Sequence, residues 1–338
     1  MRQKTKKELI DFFEFVGEPS FRAKQVHEWI WQKGSTSFEE MTNLPKNLRE
    51  KLQQTFTFEE VSIDVVQKSS DGTLKCRFKL HDGNFIEGVL IPTEDRITAC
   101  VSSQVGCSLS CTFCATGFLK RVRNLNPEEI FDQIILINQL GIKHFKRKIT
   151  NIVFMGMGEP LLNFKNVQKS IDRITSPEGL NMSPKRITVS TAGISKMIRK
   201  LGDEEVRFNL ALSLHAANNE KRSKLMPINE SNPLEDLADA LNYFTEKTGN
   251  RITLEYCVIE NENDHLEDAK ELAKFAKQIF SKVNLIEYNP IEFAKYHNSS
   301  RNRIHKFSEH LTELGITNSI RHSRGKDIDA ACGQLANK

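Results

Sequence analysis

An α/β fold, with a mostly parallel sheet covered by helices, is what this 338-residue sequence predicts. Three patterns carry the prediction. From residue 98 to the end, short apolar strands alternate with amphipathic helical stretches, as repeated βα units do. Across 61–104 the period is two residues instead of 3.6, so a β-rich lead-in precedes those units. The first stretch, to about residue 56, has helical spacing only. With 38% hydrophobic and 27% charged residues the chain can bury a large core. At about 100–200 residues per domain its length suits two domains, or one large barrel with an appendage.

In order along the chain, Leu9, Phe12, Phe13 and Val16 recur at helical spacing within 5–16. Ser20 is a candidate cap for a second helix carrying Val26, Trp29 and Ile30. Pro45 suits the start of a third, with Leu48 and Leu52 on one face. Arg22, Lys24, Lys33, Lys46, Arg49 and Lys51 are interleaved, which fits either a solvated basic face or an RNA-contacting appendage. Asp71-Gly72 and Asp82-Gly83 are hairpin signals. Leu74, Cys76, Phe78 and Leu80 share one strand face, and Phe85, Glu87, Val89 and Ile91 share another. Glu87 is thus a carboxylate in an apolar row, either an edge glutamate bending to water or a carboxylate kept at a site. Strands are expected at 98–103, 149–155, 186–190, 209–213, 253–258, 283–288 and 317–321. Helices are expected at 127–140, 166–174, 194–201, 234–248, 265–279 and 303–314.

The longest apolar stretches, 149–157 and 206–214, are far shorter than the roughly 20 residues of a membrane helix. The basic start MRQKTKKELIDFF lacks the apolar run and cleavage site of a signal peptide, so a cytoplasmic protein without membrane attachment is expected. Lys plus Arg number 48 and Asp plus Glu 44, a net charge of +4 that does not by itself demand a polyanionic partner. Seven cysteines, an odd number, argue against a disulfide framework.

Three of those cysteines form Cys107-Ser-Leu-Ser-Cys111-Thr-Phe-Cys114. Three thiolates this close on a loop suit a soft metal centre. Structural zinc sites usually take four ligands in two separated pairs, and no second pair or adjacent histidine exists here. A zinc or redox centre would need a distant fourth ligand such as Cys100 or Cys332. A [4Fe–4S] cluster on three cysteines instead leaves one iron open. The C-x3-C-x2-C spacing resembles the signature of the radical S-adenosylmethionine (SAM) superfamily. That resemblance implies one [4Fe–4S] cluster per chain on Cys107, Cys111 and Cys114. The open iron then binds SAM, which is cleaved to a 5′-deoxyadenosyl radical.

Further polar segments recur at equivalent places after successive strands. They are Met155-Gly-Met-Gly158-Glu159-Pro160, Ser190-Thr191-Ala192-Gly193, Ser213-Leu214-His215 and Asn289-Pro290. Each alone reads as a glycine turn, a helix cap or a backbone-satisfied histidine. Together they set polar groups at the C-terminal ends of parallel strands, where barrel enzymes build active sites. Toward SAM, Gly158 gives close backbone approach and Glu159 accepts from the ammonium. Ser190, Ser213, Leu214, His215 and Asn289 are the expected partners of ribose, adenine and carboxylate.

Across nearly its whole length the chain resembles the radical SAM RNA methyltransferases that methylate adenine carbon 2 in 23S rRNA and tRNA. The matching stretches are 86–92 (Ile-Glu-Gly-Val-Leu-Ile-Pro), 100–107 (Cys-Val-Ser-Ser-Gln-Val-Gly-Cys), 114–117 and 155–163, with 222–229 (RSKLMPIN) and 324–335 (RGKDIDAACGQL). The resemblance implies a partial (βα)6 barrel at 98–338, a β-hairpin lead-in at 59–97 and a helical RNA-binding accessory domain at 1–58. It implies methylation of adenosine 2503 of 23S rRNA and adenosine 37 of tRNAs. Cys332 takes a methyl group from one SAM, and the radical from a second SAM removes hydrogen from it. The carbon radical adds to carbon 2, an electron-poor position that is a poor nucleophile toward SAM. Cys100 then resolves the adduct as a transient disulfide with Cys332, and Glu87 is the proton acceptor. A flavodoxin or ferredoxin as electron donor, and a monomer, are the family expectations. The alternatives are carbon-8 methylation of the same rRNA base and a non-catalytic Fe–S or zinc RNA-binding protein. Proline after Glu159 favours the carbon-2 group, whereas Ala192 stands where many relatives carry serine. Phosphate contacts are expected from Lys120, Arg121 and Arg123, from Arg301, Arg303 and Lys306, and from Arg321, Arg324 and Lys326. The run Lys143, Lys146, Arg147 and Lys148 reads as a solvated face. Cys76 and Cys257 have no assigned role.

Overall fold

The structure, a computed structural model, describes residues 1–58 and 61–337, so the expected boundary at 58/59 falls beside residues outside the described ones. Three helices open the chain: α1 (Lys6–Phe15), α2 (Phe21–Trp31) and α3 (Lys46–Thr55). Thr5 and Glu8 cap α1 reciprocally, and Leu9 and Phe13 are its buried face. Ser20 makes no capping bond, because its backbone is already right-handed helical rather than extended. Pro45 precedes α3 as expected, and Leu48 and Leu52 are buried.

A ten-stranded sheet follows in the order β1 (Ser62–Lys68), β2 (Leu74–Lys79), β3 (Phe85–Pro92), β4 (Ile97–Cys100), β7 (Asn151–Phe154), β8 (Ile187–Thr191), β9 (Asn209–Ser213), β10 (Ile252–Val258), β11 (Ser281–Glu287), β12 (Asn318–Arg321). The first three strands and β4 pair antiparallel, whereas β4 through β12 pair parallel. Both Asp-Gly turns form, with Gly72 and Gly83 at φ +88° and +80°. The hairpin thus extends the barrel sheet, and Val89 lies in register with Cys100. A two-stranded ribbon, β5 (Gln104–Val105) with β6 (Arg123–Asn124), cinches the base of the cysteine loop.

Six helices link the parallel strands: α4 (Pro127–Phe145), α5 (Phe164–Thr175), α6 (Ser195–Asp203), α8 (Leu234–Thr248), α9 (Leu266–Ala276) and α10 (Arg301–Glu313). All six were legible from periodicity. The seven-residue α7 (Asn219–Leu225) was not, because it is short and polar. Its start is set by the Asn218 side chain, which accepts from Lys221 N. The N-terminal helices pack on α4 and α5. Trp31 meets Phe131 edge-on at 5.0 Å, the Arg173 guanidinium lies over the Trp31 ring, and a buried Arg2–Asp132 ion pair closes the seam. No helix among the described residues is long and apolar enough to cross a membrane.

Candidate active site

A cavity that opens to solvent lies at the C-terminal ends of the parallel strands. Cys107, Cys111 and Cys114 line it, together with Gly158, Glu159, Ser190, Ser213, His215 and Cys332. Five separate βα connections and the chain terminus therefore converge on one space, as the spacing of the motifs predicted.

The three loop thiols are half-buried, and burial raises each above the usual cysteine range. At Cys111, the most strongly shifted, the charges of Cys114 and Cys107 add to the effect. Among the described residues no three His, Cys, Asp or Glu side chains gather tightly enough to hold one ion. A cubic cluster makes a different demand, since each thiolate binds a separate iron of the cube. The donor set of three thiols on one cavity wall fits that group. It lacks the second pair that a structural zinc site uses.

At the second strand end Gly158 has φ +93°, and a Cβ there would sit 2.4 Å from the Gln104 side chain. Glycine is required at this turn. Glu159 is buried, and burial raises its pKa. Its Oε1 accepts from Leu161 N at 3.0 Å and its Oε2 from Ala192 N at 2.8 Å, so it ties the second strand end to the third. Ser190 and Ser213 share a hydrogen bond of 3.2 Å. His215 has a positive φ of 55° and meets Phe113 edge-on at 4.7 Å. Its Nδ1 accepts from Cys257 N at 3.0 Å, which puts the ring proton on Nε2. Burial holds its pKa down to about 3, with the Arg222 charge acting in the same direction. Leu214 does not line the cavity. Its side chain is buried in the core, its N–H donates to Glu255 O, and its carbonyl accepts from Arg222.

Sequence reasoning named 222–229 only as a matching stretch and missed what Arg222 does there. This guanidinium is fully buried and donates to the carbonyls of Leu214, Ala192 and Ser213 and to Asn229 Oδ1. It thereby welds the third and fourth strand ends together. Desolvation lowers its pKa to about 10, opposed by the charge of Cys111. Glu255 was missed as well. It lies in register between Ser213 and Asn284, and Asn284 Nδ2 donates to its Oε1 at 3.1 Å. The available signal was a charged residue inside an otherwise apolar strand stretch.

Three buried polar atoms on this side have no partner: Glu255 Oε2, Tyr288 OH and Asn289 Oδ1. Glu255 and Tyr288 line the cavity, and Asn289 stands next to it, donating through Nδ2 to the Cys332 carbonyl at 3.2 Å. Buried polar groups are rarely left unpaired. Such a set fits a polar ligand bound here, which is where the resemblance seats SAM.

The C-terminal segment is threaded between two loops. Ala115 N donates to Gly333 O at 2.7 Å and Thr116 Oγ1 to Leu335 O at 2.7 Å, while Gln334 Nε2 donates to Pro290 O at 3.1 Å. Cys332 is exposed into the cavity. The surrounding protein raises its pKa, Arg321 opposes that, and Glu255 adds to it. Cys100 is buried at the end of β4. Burial pushes its thiol up to about 12, and the charge of Cys332 contributes. The charge of Cys332 thus reaches Cys100, and that of Arg321 acts on both thiols. Cys257 lines the cavity, whereas Cys76 is a core residue of β2.

Glu87 does not bend to water. Its strand β3 is paired on both sides, and the side chain is fully buried. Lys75, also buried, lies 3.2 Å from Oε1, and Ala336 N donates to Oε2 at 2.8 Å. Glu87 is outside the cavity lining and anchors the tail that carries Cys332.

Three of the expected phosphate contacts are committed to carboxylates. Arg123 binds Glu129 and Asp82, Arg303 binds Asp264, and Lys326 binds Glu287. Lys120, Arg121, Arg301, Lys306 and Arg324 have no ion pair among the described residues, whereas the charge of Arg321 acts on the buried Glu255 carboxylate.

Residues 1–58 match the family model of the ribosomal RNA large subunit methyltransferase N-terminal domain, and residues 101–276 match that of the radical SAM superfamily. A probable dual-specificity RNA methyltransferase RlmN of Cytophaga hutchinsonii is 56% identical over 100% of this chain and 93% of its own length. The dual-specificity RNA methyltransferase RlmN of Campylobacter curvus is 44% identical over 97% of this chain and 93% of its own. The crystal structure of a radical SAM methyltransferase from Sphaerobacter thermophilus superposes with a TM-score of 0.93 at 38% identity, covering 99% of this chain and 98% of the other. With a cavity built from the cysteine loop, the strand ends and the C-terminal tail, the chain belongs to the RlmN family of dual-specificity RNA methyltransferases within the radical SAM superfamily.

Proposed function

We propose that this chain methylates carbon 2 of adenosine 2503 in 23S rRNA and of adenosine 37 in tRNAs, with Cys332 as the methyl carrier. The observation that supports this most is that the tail thiol faces the same cavity as the three loop thiols. Cys107, Cys111 and Cys114 would hold the [4Fe–4S] cluster. When bound, that cluster and SAM supply the carbon radical that an electron-poor aromatic carbon requires. Gly158 and Glu159 shape the bed for the amino-acid end of SAM. Ser190, Ser213, His215 and Asn289 serve its remaining polar groups, whereas Leu214 acts from the core, its N–H and carbonyl already bonded to Glu255 and Arg222.

The chain's own steps are these. Cys332 loses its proton, and its sulfur takes a methyl group by displacement. Arg321 favours the thiolate by its charge. After the methylene carbon is joined to the base, the adduct has one electron and one proton to lose; the electron would pass to the bound cluster, and Glu87 accepts the proton of carbon 2. Because Glu87 lies outside the cavity and holds Ala336 N, this step requires the tail to loosen. Cys100 then loses its proton and attacks the sulfur of Cys332; the S–S bond forms as the bond from that sulfur to the bridging methylene breaks, the electron pair passes to the base, and the carbon takes up a proton to become the methyl group of the freed RNA. Cellular thiols reduce that disulfide before the next turnover. A cytoplasmic monomer supplied with electrons by a flavodoxin or ferredoxin completes the proposal.

The test is anaerobic reconstitution with iron, sulfide, SAM and an rRNA fragment, with the new methyl located by nucleoside mass spectrometry. The expected product is 2-methyladenosine, and Cys332→Ala abolishes it. An 8-methyladenosine product, or full methylation by Cys332→Ala, overturns the reading.

A further inference from the structure

Two half-exposed phenylalanines stand where the loops that clamp the tail come together. Phe118 ends the short turn after Cys114 and is 48% exposed. Phe293 lies in the connection from β11 to α10 and is 50% exposed. Their rings lie 5.5 Å apart, tilted by 32°. The same two connections hold the Cys332 segment through Ala115, Thr116 and Pro290, and a Thr112–Tyr296 hydroxyl contact of 2.9 Å joins them again. The ring pair therefore sits beside the carrier thiol's segment.

A single exposed ring is ordinary, but exposed apolar side chains packed against one another and rimmed by charge mark an interaction surface. Two other exposed rings carry a guanidinium, Arg22 over Phe21 and Arg251 over Phe280, and Phe15, 89% exposed, stands singly with no ring or cation contact among the described residues. Phe118 and Phe293 have only each other among the ring and cation contacts of the described residues. Lys120, Arg121 and Lys295 are exposed on the same two connections, and Glu292 is the acidic group among them. Aromatic faces bordered by cations suit an unpaired nucleobase with its phosphates, since every base has a face to stack.

We propose that Phe118 and Phe293 form a stacking platform for an unpaired nucleotide next to the target adenosine, with Lys120, Arg121 and Lys295 meeting its phosphates. This deepens the proposed function and rests on its RNA substrate, though not on the position methylated or on the carrier role of Cys332. The platform holds the neighbouring base outside the cavity while the target base enters it. A target in a loop is then preferred over one in a duplex, because only a loop frees the neighbour to stack.

The experiment measures binding of two fluorescent RNA hairpins to the anaerobically purified protein. One carries the target adenosine in an open loop, and the other is fully paired. Phe118→Ala/Phe293→Ala weakens the loop hairpin by about 5- to 150-fold, the range measured for single stacked bases. The paired hairpin, SAM binding and 5′-deoxyadenosine formation are unchanged. Tyrosine at both positions restores loop binding, whereas leucine, which keeps the bulk without the π-face, does not. Lys120→Gln/Arg121→Gln lowers the slope of log affinity against log salt by about 0.7 per lost phosphate contact. Unchanged loop binding in the alanine variant, or full rescue by leucine, overturns the platform. Wild-type protein that binds the loop through this pair yet transfers no methyl to carbon 2 sinks the proposed reaction and leaves the platform standing.

Discussion

Glu87 and Glu255 are both buried carboxylates on strands of one sheet, yet their surroundings differ in kind. On the antiparallel side, Glu87 is complete, with Lys75 on one oxygen and the tail amide of Ala336 on the other. On the parallel side, Glu255 has Asn284 on one oxygen and nothing on the other. Tyr288 OH and Asn289 Oδ1 nearby also lack partners. The first wall is a closed structural unit that positions the chain terminus. The second is left open in the protein alone, which fits a polar ligand at that wall. Since unpaired buried groups are costly, their concentration at one wall marks the ligand side of the cavity more sharply than the residue types do.

The largest test of that contrast is Lys75→Met. Removing one member of a buried ion pair strands the other charge, so a loss of about 3–5 kcal/mol in urea-unfolding stability is expected. Replacing Glu87 by Leu in the same chain recovers much of it, because the stranded charge is gone. A single-variant loss below about 1 kcal/mol shows that the wall is not closed by this pair.

Glu255→Gln is expected to do less to stability and more to pH dependence. Burial raises this carboxyl above its ordinary value, so the folded state binds the proton more tightly than the unfolded state. Stability therefore falls as pH rises from the ordinary value through the raised one, and melting curves across that window flatten in the glutamine variant. The same change removes a negative charge felt at Cys332, which lowers that thiol's pKa. Alkylation of Cys332, followed by peptide mass spectrometry at neutral pH, becomes faster on the order of 3-fold, because lost nucleophilicity offsets part of the gain in thiolate. Arg321→Gln moves the rate the other way. Equal rates in all three proteins mean that neither charge reaches the thiol.

The smallest effect belongs to the basic run at the far end of α4. Lys143 lies in the last turn of α4 and Lys146 and Lys148 between that helix and the start of β7, at the strand ends opposite the cavity. Their joint replacement by Gln leaves RNA affinity and methyl transfer unchanged, with stability within about 0.5 kcal/mol. A clear loss of RNA binding gives this end a role that its position argues against. Arg147 is kept in that variant because its Nη1 donates to Thr93 O.

The sequence by itself determined the order of elements and the ring of motifs at the strand ends. Periodicity distinguishes strands from helices, and each motif follows a strand whatever the tertiary detail. The Cys107–Cys111–Cys114 spacing and the motif around Cys332 carried the chemistry, because sulfur at those intervals has few uses. Only the tertiary structure decided which charges are free. Arg123, Arg303 and Lys326 look like phosphate binders until Glu129, Asp264 and Glu287 are found against them. It alone showed that Glu87 is internal, paired and tied to the tail, and that Glu255 is open. Partners contributed by residues tens or hundreds of positions away leave no local trace in the chain. Burial, which sets the cost of every unpaired charge, exists only once the sheet has assembled.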